Sequence, residues 1–183
     1  INGIETVNRM KHSFRELRKN MAEMLRTCSG TRDATDFPGL RRGGLGLLSY
    51  CRELSAGVYL ESIQNNDTSA PENRQRLLNA LAKAQDLFFN IVMFHHLMTH
   101  NAKGKDRLPD ELVDRLERAA NALDAEELDS IDMRGLEARD SRLTTIEDRT
   151  GMGGHDSTRL LLNSAVRICS HTVALVGSSK EAE

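Results

Sequence analysis

Apolar side chains recur at steps of three and four residues over most of the chain. The longest such stripe lies between Pro71 and His100, and glycine with flanking lysines at 103–105 provides a stop signal after it. The stripe consists of Leu77, Leu81, Ala84, Phe88, Ile91, His95 and Met98. Further apolar residues widen the C-terminal half until it is apolar on nearly all sides, which is typical of a central helix. We therefore predict one long central helix against which the other elements pack.

The same spacing predicts helices over residues 4–27, 45–64, 108–123 and 156–177. Charges crowd the apolar positions from 125 to 149, so a short or broken outer helix is expected there. Because the connection at 103–105 is short, the helices on either side of it should be antiparallel neighbours. The prediction is an all-α fold, an antiparallel bundle of five or six helices, in a single domain over 1–183.

Two segments break the helical pattern. Residues 31–46 contain four glycines beside Arg41 and Arg42, and they predict a loop. Glycines next to arginines can also cradle a phosphate, but the spacing fits neither the P-loop nor the dinucleotide motif, and no strand precedes it. Residues 178–183 are polar and predict a frayed tail.

Composition indicates a soluble globular protein. Of 183 residues, 28% are charged and 39% hydrophobic, with a formal net charge of -2, which does not favour nucleic acid. No aromatic residues alternate with the N-terminal basic ones, as stacking on single strands would require. No run approaches the roughly 18 apolar residues that span a bilayer, and no secretory signal is visible.

The charge is unevenly distributed along the chain. Residues 106–148 carry a balance of -8, whereas the first 42 residues hold nine basic against five acidic side chains. This pattern favours ends that lie near an anionic surface or partner and a middle that faces water. Ordinary solvated helix faces explain it equally well.

Histidines at the end of the central helix are the most compact candidate for chemistry. His96 and His100 are four residues apart, which places both imidazoles on one helix face and suits a shared metal ion. The motif lacks the glutamate of H-E-x-x-H. Possible third ligands are Asp86, His155 and His171. His95 lies on the apolar stripe and is predicted to be a packing residue.

Other reactive residue types give no site. The pair Glu126 and Glu127 lies on a polar segment without the apolar surroundings that raise a carboxyl pKa. The three cysteines, at positions 28, 51 and 169, form no C-x-x-C pair and are expected to be reduced core residues. A methionine-rich stripe in the first helix fits a core face better than a binding groove. We expect no catalytic residue, no cofactor and no metal, and hence no enzyme.

One segment resembles a known family. A Leu-rich helix that ends in paired aromatic and histidine residues is followed by a short basic loop and then by Leu-Pro-Asp-Glu-Leu at 108–112. Residues 77–123, about a quarter of the chain, thereby resemble the soluble helical region of the fusaric acid resistance or aromatic acid exporter family. Those are bacterial inner-membrane proteins with cytosolic helical domains. The chain begins at Ile1, which agrees with a piece of a longer protein.

The resemblance implies a non-enzymatic domain of a bacterial transporter or efflux protein with a role in assembly or regulation. It would lie in the cytoplasm, at the inner face of the inner membrane, beside membrane segments of the full-length protein. One alternative is a cytosolic interaction module, a signalling adaptor or effector fragment, that binds a protein partner or a second copy through its apolar stripes. Another is a metal-binding helical protein that uses His96 and His100.

Overall fold

The computed structural model describes residues 2–64, 70–101, 108–125 and 156–182. Within these ranges the chain forms five α-helices and one short 3-10 helix, and no strand. The elements are α1 (Asn2–Ser29), the 3-10 helix (Ala34–Asp36), α2 (Phe37–Gln64), α3 (Ala70–Asn101), α4 (Asp110–Asp124) and α5 (Asp156–Ala182). The all-α prediction is confirmed. The predicted outer helix at 125–149 falls almost entirely outside the described residues.

A glycine ends α1. Gly30 has a φ of 83°, in the left-handed region where a side chain would be strained. Its amide donates to the carbonyl of Thr27 at 3.3 Å, and the amide of Thr31 donates to that of Arg26 at 3.1 Å. These two bonds form a Schellman motif, which satisfies carbonyls of the last turn.

The predicted loop at 31–46 is wrong from residue 34 onward. A 3-10 turn begins at Ala34 and α2 begins at Phe37, eight residues before its predicted start. The glycines that suggested a loop lie on a packed helix. A Cβ atom on the buried Gly44 would stand 2.7 Å from Oδ1 of Asn20 on α1 and would also strike the ring of Phe88 on α3. Tertiary packing of this helix therefore overrides the low helix propensity of glycine.

The predicted helix end at Gly177 is also wrong, and the tail predicted from residue 178 is helical as far as the structure describes it. Helix α5 continues to Ala182. Ser178 is buried, and its hydroxyl accepts a hydrogen bond from the ammonium of Lys83 on α3. This contact holds the start of the polar segment against α3.

The helices form a closed ring in the order α1, α2, α3, α5, α4, and α1 also touches α3 across the ring. Contacts along α2 and α3 run in opposite directions. Phe37 stacks on His95 at one end, and Arg52 bonds Gln85 further along. These two helices are therefore antiparallel. Leu17 and Phe88 are among the large side chains that fill the interior.

Helices α3 and α4 are not the close neighbours that their short connection predicted. Helix α4 packs between α1 and α5 instead. The apolar stripe of α4 is buried, with Leu112, Leu116 and Leu123 all almost fully covered. A short connection limits the distance between two helix ends, but here the rest of α4 is held by α1 and α5. The antiparallel bundle is confirmed, whereas this pairing within it is not.

Two of the helices are long and apolar enough to cross a bilayer, judged by length and composition alone. They comprise residues Arg74–His100 of α3 and Leu160–Ser178 of α5, with best-window mean hydropathies of 1.2 and 1.4. The expectation that no segment approaches this length does not hold when hydropathy is averaged over a window. The core helix of a soluble protein meets the same criterion, so the measure does not separate the two situations.

Candidate interaction face on α3

One face of α3 points away from the bundle. We call it the outer face, and its members follow one another at steps of three and four residues. They are Asn79, Ala82, Asp86, Phe89, Met93, His96 and His100, and all are exposed. The opposite face carries the predicted stripe, in which Phe88 and Ile91 are fully buried. The expectation that α3 is a central helix does not hold for its outer face, which is exposed.

Two large apolar side chains stand next to each other on the outer face. Phe89 is 50% exposed and Met93, four residues later, is 55% exposed. The other exposed large apolar residues in the described ranges are Leu45, Tyr50, Leu60, Leu160 and Val166. None of these is three or four residues from another, and singly exposed apolar residues are ordinary. Aromatic residues and methionine are enriched at protein interfaces, so the pair on α3 is the stronger signal.

The two histidines predicted to share a face do so. The rings of His96 and His100 lie with centroids 3.8 Å apart and planes tilted by 38°. Nδ1 of His100 is 3.1 Å from the carbonyl oxygen of His96. Since a carbonyl oxygen can only accept, Nδ1 of His100 carries the proton. Its Nε2 then holds the free lone pair of the neutral ring.

His95 is a packing residue, as predicted. Its ring stacks on that of Phe37, with centroids 3.6 Å apart and planes 4° from parallel. Partial burial lowers the pKa of His95, and the nearby charges of Arg41 and His96 lower it further. The side chain fixes the start of α2 against α3 and is not directed to the outer face.

The candidate third ligands do not join the histidine pair. Asp86 is ten residues before His96, which is about 15 Å along the helix axis. His171 lies on α5, and His155 is outside the described residues. No group of three or more His, Cys, Asp or Glu side chains in the described ranges could hold a metal ion.

The remaining candidates are structural or lie outside the described residues. Gly43 and Gly44 face α1 inside a helix, so they form no phosphate loop. Glu126 and Glu127 are not among the described residues. All three cysteines are free and buried, as predicted, and burial raises the pKa of Cys28 to about 12 and that of Cys51 to about 11. Those thiols therefore stay protonated at neutral pH.

The methionine stripe of α1 is also core, as predicted. Met10, Met21 and Met24 are all buried at the centre of the bundle. The flexible thioether side chains fill space between α1 and its neighbours. This face of α1 is therefore not available as a binding groove.

Part of the basic start of the chain pairs with part of its acidic middle within the bundle. Arg26, at the end of basic α1, lies 3.3 Å from Oδ2 of Asp124 on acidic α4 and 3.1 Å from Oδ1 of Asn121. Near it, the hydroxyl of Thr31 donates to Glu117 at 2.7 Å. The basic start and the acidic middle thus meet where α1 and α4 pack. The sequence indicated the imbalance but not this pairing.

The sequence interpretation missed Phe89 and Met93 as surface residues. The earlier positions of the outer face could have indicated this exposure, because Asn79, Ala82 and Asp86 are polar or small. A face that is polar over its first turns is expected to remain at the surface further along a straight helix.

Comparisons with models of protein families, with curated proteins and with solved structures found no match.

Proposed function

We propose that this chain is a non-enzymatic protein-interaction module that binds another protein through the outer face of α3. The observation that supports this proposal is the half-exposed pair Phe89 and Met93 on a helix whose opposite face packs into the core, with Phe88 almost fully buried. Covering the remaining exposed area of each side chain contributes about 1 kcal/mol to binding. An apolar helical surface is the partner that such a face fits.

The charge of the outer face supports the same partner chemistry. No Lys, Arg, Asp or Glu occurs from residue 87 to residue 100. A partner surface therefore needs no opposite charges to cover this end of α3, and burying it leaves no unpaired ion. The two histidines at the end of the face provide its polar rim.

Site-specific photo-crosslinking tests the proposal. A benzophenone amino acid in place of Met93 should capture a defined protein, or a second copy of the chain, in cells that express the full protein. The same probe at Asn8, which is exposed on α1, is the positional control and should capture nothing specific. No product at position 93 beyond that at position 8 would contradict the proposal.

A matched pair of substitutions then tests which surface is used. Phe89→Ser should reduce the yield of the crosslink from position 93 several-fold. Leu160→Ser removes an apolar side chain of similar exposure from α5 and should leave the yield unchanged. An equal loss in both variants would argue against a specific role of the outer face.

A second candidate function is a cytoplasmic domain of a bacterial inner-membrane transporter, with a role in assembly. It is favoured by the resemblance of residues 77–123. In that protein the outer face would contact an adjoining part of the same assembly. The native gene tests this directly: four or more spans of about 20 apolar residues beside this segment are expected. A gene without such spans would dismiss it.

A further inference from the structure

We propose that His96 and His100 form half of a zinc site, which the same two histidines of a second copy of this chain complete. The inference rests on the proposed function, since it identifies the partner of the outer face as another copy. It goes beyond that function by assigning a metal to the contact.

The hydrogen bond of His100 prepares it as a ligand. Its Nδ1 donates to the carbonyl of His96 at 3.1 Å, so the lone pair is on Nε2. Metal-binding histidines commonly hold their second nitrogen in this way, which fixes the tautomer and the ring orientation. The ring of His96 lies beside it with centroids 3.8 Å apart. Both rings are exposed and can reach an ion in solvent.

The ligand set within one chain is incomplete. Structural zinc sites have four ligands in a tetrahedron, whereas the described part of this chain places two histidines together and no third ligand beside them. A two-fold axis through the ion would supply the other two imidazoles from the same positions of a second copy. Symmetric contacts of this kind are the commonest way in which identical chains pair.

The rest of the outer face suits such a contact. Met93 and Phe89 precede His96 by three and seven residues on the same face, so a pairing centred on the histidines covers them. Because no formal charge occurs from residue 87 to residue 100, this part of the face meets its own copy without repulsion between like charges. Tetrahedral coordination of the metal would fix how the two copies are oriented, which the apolar contact of Phe89 and Met93 alone does not do.

Other zinc ligands of the described chain do not compete strongly. The three cysteines are buried and free, and their raised pKa values keep the thiols protonated. His12 is exposed on α1 and offers a single imidazole. It provides a matched control because it has the same chemistry and exposure without a second histidine four residues away.

The test measures zinc stoichiometry and mass together on the untagged full chain. In EDTA the chain should sediment as a monomer. Adding zinc chloride should produce a dimer that contains one zinc ion for two chains. His96→Gln and His100→Gln should each weaken zinc binding more than tenfold and remove the dimer, whereas His12→Gln should change neither. Both substituted histidines are exposed, so unchanged helical circular dichroism is expected and checks the fold.

Three results would overturn the zinc site. They are no zinc binding above that of the His96→Gln/His100→Gln double variant, one zinc per chain with unchanged mass, and a dimer that persists in EDTA. The two proposals can fail separately. A crosslink at position 93 that does not depend on zinc keeps the interaction face and removes the zinc site, whereas no crosslink with or without zinc removes both.

Discussion

Gly44 sets how closely α2 can approach two other helices. It is buried at the point where α2 meets Asn20 of α1 and Phe88 of α3. Gly46, one half-turn further on, is exposed and has no heavy atom within 4 Å of the place that a Cβ would occupy. The two glycines therefore have different roles in the same helix. The first permits contact, and the second only lowers the helix propensity.

Alanine at these two positions should have opposite effects. Gly44→Ala should lower the free energy of unfolding by about 1–3 kcal/mol, because the new methyl group overpacks the contact. Gly46→Ala should raise it by about 0.4–1 kcal/mol, because alanine restricts the unfolded chain and favours helix. Urea denaturation followed by circular dichroism measures both. Stabilisation by Gly44→Ala would show that α2 does not approach α1 and α3 this closely.

His95 makes stability depend on pH. Burial and the neighbouring Arg41 and His96 lower its pKa in the folded chain below the ordinary value of 6.5. The unfolded chain therefore binds more protons between the two pKa values, and folding loses stability as pH falls through 6.5 toward the folded pKa. Above 6.5 the full contribution is present.

Replacing His95 should flatten this dependence. In His95→Gln the loss of unfolding free energy between pH 7.5 and pH 5 should be smaller than in the parent chain, whatever the cost of losing the stack on Phe37. His12→Gln, at an exposed position, should retain the parent slope. Denaturation curves at several pH values provide the comparison, and parallel slopes for His95→Gln and the parent would exclude His95 as the source.

At the scale of helices, the periodicity of apolar residues predicted most of the helices but not which helices pack against one another. Apolar steps of three and four residues identified α1, α3, α4 and α5 because each buries one stripe. The first turns of α2 were missed because glycine is a poor helix former in isolation, and only the contact of Gly44 with other helices explains its presence there. Whether Phe89 faces the core or solvent depends on which helices lie beside α3. A one-dimensional pattern does not contain that information.

The contact between α1 and α4 has a polar component that can be measured. Arg26 lies 3.3 Å from Asp124 and 2.7 Å from Glu23 of its own helix, and its side chain is only partly exposed. A double-mutant cycle of Arg26→Ala and Asp124→Ala should give a coupling of about 0.5–1 kcal/mol. The exposed pair Arg9 and Glu5 within α1 is the control and should give less. Equal couplings would mean that the link between helices adds nothing to an ordinary surface pair.

At the scale of the molecule, the ring of helices predicts one cooperative transition. Each described helix packs against at least two others, so none can leave without exposing the core of its neighbours. Both tyrosines of the chain, Tyr50 and Tyr59, lie on α2, and there is no tryptophan. Tyrosine fluorescence therefore reports α2 and the contact of Tyr59 with Arg74 of α3, whereas circular dichroism at 222 nm reports every helix.

The two signals should give coincident urea midpoints. An earlier midpoint by fluorescence would show that α2 separates from the ring before the remaining helices unfold. The same comparison on Gly44→Ala tests whether a change at one residue affects the stability of the whole bundle. Overpacking this one contact should move both curves together if the ring is a single unit.

The modification rates of the buried thiols report how often the helices around them separate. Cys28, Cys51 and Cys169 lie on α1, α2 and α5, and each is shielded from solvent. A thiol reagent in solution can modify them only after the surrounding helices have parted, because the closed form offers neither access nor a thiolate. The rate at which each cysteine gains mass would therefore time the opening of its own helix. Three such rates, obtained from one native chain, would show whether all helices of the bundle separate together or individual helices separate first.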